Sequence, residues 1–237
     1  MKGGITMKEK KEKEVRVKTE KVVKEPKVKT EKIGKKPEKL VKNRTKFTSK
    51  YFKKFSGRSK DNYEEMLQSD YQRAIERAHQ LSSIDQNDYA TPIIITVPDS
   101  FHQGDKVTYR LDKKSDGTNT LLYDQALITA LFFGSDSLYY YQANMDHRNG
   151  HIAFDVAGEF NYFDVVHMET ALKYDHPAHP KYIMLDIEVG LVDGTIIPFH
   201  LRNHRIHDDY DLPSLLTETE QKILDILKKK VRESRQV

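Results

Sequence analysis

Apolar and polar residues alternate along much of the second half of the chain, a pattern typical of β-strands with one buried face. In residues 182–189 the odd-numbered positions are all aliphatic, and the positions between them fall on the other face. Asp193-Gly194 follows with turn residues that tolerate a positive φ. Residues 195–202 then alternate again, which predicts that His200 and Arg202 face outward. The two segments together predict a β-hairpin.

Further strands are predicted around a second turn, Asn149-Gly150, which is a strong hairpin signal. His147 and His151 flank this turn, so they are predicted to lie at a hairpin tip rather than in a pocket. The run 126–133 is nearly continuously apolar, which predicts a strand buried on both faces. The other predicted strands are 93–97, 107–111, 138–145, 152–156 and 163–172. About seven strands joined by short turns predict a mainly β fold, an antiparallel sandwich or small barrel.

Two segments have the three- and four-residue apolar spacing of amphipathic helices. The first, within residues 59–84, carries a stripe from Tyr63 to Leu81 and is predicted to pack on the β domain or to support self-association. The second follows Thr217 and Glu220, which match a capping box. Its apolar stripe consists of Ile223, Leu224, Leu227 and Val231. We expect this C-terminal helix to cover the open mouth of the strands.

Seven strands followed by an amphipathic C-terminal helix resemble the pleckstrin-homology (PH) superfold. The order of the apolar run 126–133, the Tyr-rich segment 138–141 and the strand opening Phe163-Asp164-Val165-Val166 is similar to bacterial PH-like domains. The resemblance covers roughly residues 91–235 and implies binding or scaffolding on membranes or proteins, rarely catalysis. It transfers no site residue. A PH-type lipid pocket would have to be built from four basic residues: Lys106, Arg110, Lys113 and Lys114.

Charge divides the chain into two parts of opposite sign. Residues 1–60 contain 23 Lys+Arg and 7 Asp+Glu, whereas residues 61–237 contain 17 and 29. The first part is Lys/Glu-rich low-complexity sequence with few apolar residues, so residues 1–58 are predicted to be a disordered basic tail and linker. The segment 59–84 is then the first helix, and residues 91–235 form the PH-like domain. A basic tail of this kind suits a polyanion, either nucleic acid or an anionic membrane surface.

The end of the basic part interleaves cations with aromatic residues, which suits phosphate contact combined with base stacking, or insertion into an anionic membrane surface. A third interpretation is a linker whose rings dock on the next domain. The predicted polyanion-binding residues are Arg44, Lys46, Phe47, Lys50, Tyr51, Phe52, Lys53, Lys54 and Arg58.

Composition removes several kinds of chemistry. The chain of 237 residues has no Cys, which excludes disulfides, thiol catalysis and cysteine-based zinc sites. It has no long apolar run and no apolar core of a secretory signal, so we expect a cytoplasmic protein. Neither a Gly-x-Ser-x-Gly elbow nor a glycine-rich phosphate loop occurs. No catalytic residue and no cofactor is therefore predicted.

Histidine spacing keeps a metal hypothesis open. His176-x-x-His179 and His204-x-x-His207-Asp208-Asp209 have ligand types and spacing compatible with a metal ion. The prolines around the first pair indicate an exposed loop, so surface histidines are the favoured interpretation.

Three functions follow from the sequence. The first is a non-enzymatic interaction or scaffolding module whose acidic domain binds a protein partner or a second copy. The second is a nucleic-acid-associated protein, and the third is a metal-dependent enzyme.

Overall fold

The alternation in residues 182–189 forms the central strand of a three-stranded sheet in the computed structural model of this chain. Strand β9 (Tyr182–Leu191) pairs antiparallel with β8 (Val165–Tyr174) on one side and with β10 (Ile196–Arg205) on the other. The structure describes residues 36–58, 61–82, 89–99, 106–117, 119–176, 178–179, 182–205 and 216–236, all within one compact unit. The β9–β10 pair is the hairpin predicted at Asp193-Gly194, and Gly194 has the positive φ that the turn needs.

A second sheet has four antiparallel strands in the order β2-β5-β6-β7. Their bounds are β2 (Ile93–Pro98), β5 (Gln125–Phe133), β6 (Ser137–Asp146) and β7 (His151–Asn161). Nearly every residue of β5 is buried, because the strand lies inside the sheet with protein on both faces. The prediction from the apolar run 126–133 is therefore confirmed.

The third sheet contains β1 (Ser56–Arg58), β3 (Tyr109–Lys113) and β4 (Asn119–Tyr123), with β1 parallel to β3. The mainly β fold is confirmed, but about seven strands in one barrel or sandwich is wrong. The described residues form ten strands in three sheets. Strand β1 was missed because three residues cannot display an alternation and because its partner is more than fifty residues away along the chain.

Three helices complete the described part of the chain: α1 (Lys36–Phe52), α2 (Asp61–Ser82) and α3 (Glu218–Ser234). Helix α1 corrects the prediction that residues 36–58 belong to a disordered tail, while residues 1–35 lie outside the described residues. None of the described helices is long and apolar enough to span a membrane. Thr217 and Glu220 form the predicted capping box at the start of α3, so that prediction is confirmed.

Two hydrophobic cores lie on the two faces of the four-stranded sheet. On one face, α3 and the three strands β8–β10 cover the sheet, and Leu227 packs with Leu185 and Phe199. On the other face, the small residues Ala74 and Ala78 of α2 pack on the sheet. Helix α2 lies within the predicted range 59–84. Within its stripe, Tyr63, Leu67, Ala74 and Ala78 are buried and Tyr71 and Ile75 are partly buried, whereas Leu81 is half exposed.

A β-bulge in β10 changes which face Arg202 occupies. The pairing with β9 shifts register between His200 and Arg202, so Leu201 is an extra residue in the ladder. As a result Arg202 points inward and is only 2% exposed, which contradicts the outward position predicted from alternation. Its guanidinium binds the carboxylate of Glu220 on α3, with 2.8 Å between Nε and Oε1. This buried ion pair joins the sheet to the C-terminal helix.

Candidate polyanion-binding helix

Helix α1 is amphipathic, and its inner face is aromatic. Tyr51 and Phe52 are buried, and Phe47 is partly buried beside them. Tyr51 stacks on Tyr63 of α2 with 4.5 Å between the ring centroids. Burial raises the pKa of the Tyr51 hydroxyl, which donates a hydrogen bond to Asp112. The docking interpretation of these rings therefore describes the structure, and their predicted stacking on bases is corrected because they belong to the core.

The opposite face of α1 is a row of lysines. Lys46, Lys50 and Lys53 recur at spacings of four and three, which places them on one side of the helix, and all three are exposed. We call these three residues the lysine face. No carboxylate of a described residue lies within ion-pair distance of them. Lys39 and Lys42 precede them in α1 at the same helical spacing.

The position of the helix is set from its C-terminal end by Arg110 of β3. This side chain is buried and donates hydrogen bonds to the carbonyl of Tyr51 at 2.8 Å and to that of Arg58 at 3.2 Å. It also lies over the Tyr51 ring at 4.2 Å and binds the carboxylate of Asp112 at 2.6 Å. The positive charge compensates the helix dipole and the open carbonyls at the end of α1. Arg110 is therefore unavailable to the PH-type lipid pocket considered from the sequence.

A second anchor joins α1, α2 and the β6–β7 turn through three charged or polar groups. Asp70 of α2 is fully buried and accepts hydrogen bonds from Arg44 of α1 and from His147, whose Nδ1 lies 2.7 Å from Oδ2. Arg44 also donates from Nε to the carbonyl of His147 at 2.8 Å. Burial by itself raises the pKa of the Asp70 carboxyl, but the bonds from His147 and Arg44 outweigh it and hold that pKa below its usual value.

The sequence predicted neither the burial of His147 nor the pairing of Arg44 with Asp70. His147 was predicted at a hairpin tip rather than in a pocket, and it does lie in the β6–β7 turn, but its side chain is fully buried because α1 and α2 pack over the turn. Arg44 was predicted to bind a polyanion, but it is committed to Asp70. Asp70 itself was not singled out, because a single acid in a polar helix carries no periodic signal. The remaining predicted residues Lys54 and Arg58 are exposed beyond the end of α1.

The histidine motifs do not assemble into a metal centre in the described part of the chain. His176 and His179 stack on one another with ring centroids 5.9 Å apart, and both are exposed. Within the residues that the structure describes, no group of three His, Asp, Glu or Cys side chains could hold a metal ion. His207, Asp208 and Asp209 of the second motif lie outside those residues.

A groove between β8 and α3 is a second exposed feature with a definite chemistry. Strand β8 is the edge of its sheet, and the groove of about 280 Å³ is lined by its first residues and by α3. Its floor contains Val165 and Val231, whereas Val166 at its edge is 60% exposed. Three exposed cations form its rim: Lys228, Arg232 and Arg235. No pattern in the sequence marked these residues as a site.

No protein-family model, curated protein or solved structure matches this chain. Its function is therefore inferred from the lysine face and from the groove between β8 and α3.

Proposed function

We propose that this chain is a non-enzymatic binding module that attaches to the phosphate backbone of nucleic acid through the lysine face of α1 and binds a protein partner through its β domain. The observation that carries the proposal is the division of α1 into an aromatic inner face and an exposed row of lysines that pair with no carboxylate of a described residue. A row of cations held on a rigid helix neutralises successive phosphates and releases their counterions on binding. The basic sequence before residue 36 adds charge of the same sign.

The inner position of the aromatic rings favours nucleic acid over a membrane surface. Amphipathic helices that bind bilayers insert an apolar face into the headgroup region. In α1 that face is occupied by the contacts of Tyr51 and Phe52 with the rest of the domain. Because these rings cannot stack on bases either, the contacts reach phosphates alone, and we expect binding without base specificity.

We further propose that the β domain is PH-like, and the arrangement of the sheets supports this. Of the ten strands formed by the described residues, seven, β2 and β5–β10, form two antiparallel sheets in a simple meander, and α3 follows them. This is the order expected for a PH-like core, with the β3–β4 hairpin inserted after its first strand. A fold of this kind is used mostly for binding.

A charge-reversal variant tests the nucleic-acid part. We expect Lys46→Glu, Lys50→Glu and Lys53→Glu together to weaken binding of a DNA duplex by about 100-fold at low salt, because three phosphate contacts become repulsive. The slope of log affinity against log salt should become shallower by about 2 to 3. Fluorescence anisotropy of a labelled duplex, titrated at several salt concentrations, measures both quantities on the full chain.

The matched control reverses the charge of three exposed lysines elsewhere in the domain: Lys113, Lys114 and Lys222. This variant has the same net charge as the first, so a merely global charge effect would weaken both equally and would contradict the proposal. Vesicles containing anionic lipid serve as a second probe. Binding to vesicles but not to the duplex would show that the lysine face serves a membrane instead.

For the protein partner, the groove between β8 and α3 suits an extended acidic segment. An edge strand can accept a further strand through its backbone N–H and C=O groups. Every second side chain of the added strand then points towards the floor of the groove. The cations Lys228, Arg232 and Arg235 on the rim complement acidic residues. In a symmetric pairing of two copies through β8, the two basic rims would approach each other, so an acidic partner is favoured over self-association.

A peptide in which Glu and Val alternate probes this groove. We expect Arg232→Glu to weaken its binding about tenfold, since one attractive rim charge becomes repulsive. Val166→Asp should have an effect of similar size. Val192→Asp is the control, because Val192 is 71% exposed and does not line the groove. Calorimetric titration in which all three variants bind alike would exclude this groove as the partner site.

A further inference from the structure

Strand β7 leaves one of its two edges open. In the described part of the chain it pairs with β6 alone, because it is the last strand of the four-stranded sheet. Its residues 151–161 contain neither Pro nor Lys, which commonly keep an exposed edge from pairing with another strand. By contrast, Pro198 interrupts β10, and Lys173 lies near the end of β8. The open edge of β7 therefore offers its backbone groups to a further strand.

One face of this strand carries large apolar side chains that are exposed. Phe154 is 64% exposed and Val156 is 39% exposed, and both lie on the same face because they are two positions apart. Gly158 follows on that face, and the Tyr140 hydroxyl occupies the space that a side chain at Gly158 would need. The ladder with β6 is regular from Phe154 onward, after a bulge at Ala153. A strand added along this edge would remove Phe154 and Val156 from water.

The two acids of the strand lie on its other face and already have partners. The carboxylate of Asp155 binds Arg77 of α2 and accepts a hydrogen bond from the Tyr141 hydroxyl at 3.1 Å. Glu159 accepts a hydrogen bond from the Ser137 hydroxyl at 2.7 Å. No charged side chain therefore interrupts the apolar face of this edge, and an apolar strand complements it better than a charged one.

The charges along β7 are compatible with a second copy of the same strand in one register. Two identical antiparallel strands are related by a two-fold axis that passes through one residue position. An axis at Asp155 would place two acids opposite each other, and an axis at Ala157 would place Asp155 opposite Glu159. Axes nearer to either end run into the bulge or past the end of the strand. An axis at Val156 avoids all of these, because Asp155 then lies opposite Ala157.

We propose that two copies of this chain associate through their β7 strands, with Val156 on the two-fold axis. In this register Val156 packs on its own counterpart, and Phe154 of each copy lies over Gly158 of the other, where no side chain competes for the space. An aromatic ring over an edge glycine stabilises strand pairing. The pairing uses residues 153–159, none of which lines the groove beside α3 or belongs to the lysine face, so it does not depend on either surface.

Sedimentation velocity of the full, nuclease-treated chain at micromolar concentrations tests the pairing. We expect a dimer that dissociates on dilution. Val156→Lys should raise the dissociation constant of this dimer about 100-fold, because it places two like charges directly opposite each other on the axis. Val192→Lys is the matched control, since Val192 is 71% exposed and lies in the turn between β9 and β10. We expect this control to dimerise as the native chain does.

Mixing two variants tests the register itself. Val156→Glu alone should be monomeric for the same reason as Val156→Lys. An equimolar mixture of the two should form a heterodimer, because the axis places position 156 of one copy opposite position 156 of the other. Association in the mixture also shows that both variants are folded. A monomeric native chain, a Val156→Lys variant that dimerises like the control, or a mixture that stays monomeric would overturn the proposal.

Discussion

Replacing Glu220 by alanine is expected to lower the free energy of unfolding by about 3–5 kcal/mol, the usual cost of removing one partner from a buried ion pair. Arg202 lies inside the sheets, so the variant leaves its positive charge buried opposite an alanine. The same change removes the carboxylate that accepts from the Thr217 amide at 2.7 Å, and with it the capping box of α3. Urea unfolding followed by circular dichroism measures the loss.

Two further variants separate the cost of an unpaired Arg202 from the loss of an acid in the first turn of α3. Glu218→Ala removes an exposed acid from the same helical turn, and we expect it to cost no more than about 1 kcal/mol. The double variant Arg202→Met, Glu220→Leu should recover much of the stability lost in Glu220→Ala, since apolar residues often replace a buried ion pair without loss. If the double variant is as unstable as the single one, an unpaired Arg202 is not the cause.

The stability supplied by Glu220 should also depend on pH. Burial raises the pKa of this carboxyl, but the bonds from Arg202 and Thr217 outweigh it and hold the pKa below its usual value. The contribution is therefore complete above the pKa of the unfolded chain and is lost as the pH falls through the lower, folded value. The difference in stability between the native chain and Glu220→Gln should accordingly shrink in acid.

The second large effect is expected for Asp70→Ala, again about 3–5 kcal/mol of unfolding free energy. Asp70 is fully buried, and its loss leaves Arg44 and His147 without their shared acceptor. Because Arg44 belongs to α1, the variant should also loosen that helix. Hydrogen exchange of the α1 amides, compared with those of β5, distinguishes this local release from general destabilisation.

Glu65→Ala is the matched control for Asp70, because it removes an exposed acid from the same helix. We expect a change within about 0.5 kcal/mol and unaltered exchange in α1. Should Asp70→Ala behave like this control, the Arg44–Asp70–His147 anchor would not be what fixes α1 to the domain.

The spacing of apolar residues along the sequence predicted those strands and helices in which buried positions recur with a fixed period. Alternation identified the β9–β10 hairpin, the apolar run identified β5, and the pair Thr217 and Glu220 identified the start of α3. The failures concern residues whose position depends on one distant contact. Arg202 faces inward because a bulge at Leu201 reverses the alternation, and alternation alone cannot reveal an extra residue.

Composition predicted which segment carries the candidate site, but not which of its side chains face outward. The interleaved cations and rings of residues 44–58 marked a segment of mixed character, yet three interpretations of the rings were open: base stacking, membrane insertion and docking on the next domain. The helical period separates Lys46, Lys50 and Lys53 from Tyr51 only once the segment is known to be a helix. Its low apolar content had indicated disorder, because the stabilising contacts come from Tyr63, Arg110 and Asp70, which lie on other elements.

The sequence by itself determined the mainly β character, the two amphipathic helices and the opposite charges of the two parts of the chain, since each depends on local periodicity or on a count. Only the tertiary structure decided that α1 is ordered, that its lysines face outward, and that His147 is buried against Asp70 instead of exposed. Those outcomes depend on buried charges meeting across large sequence separations. Whether a given Arg, Asp or His is paired or exposed is a property of the contact, and no pattern along the chain encodes it.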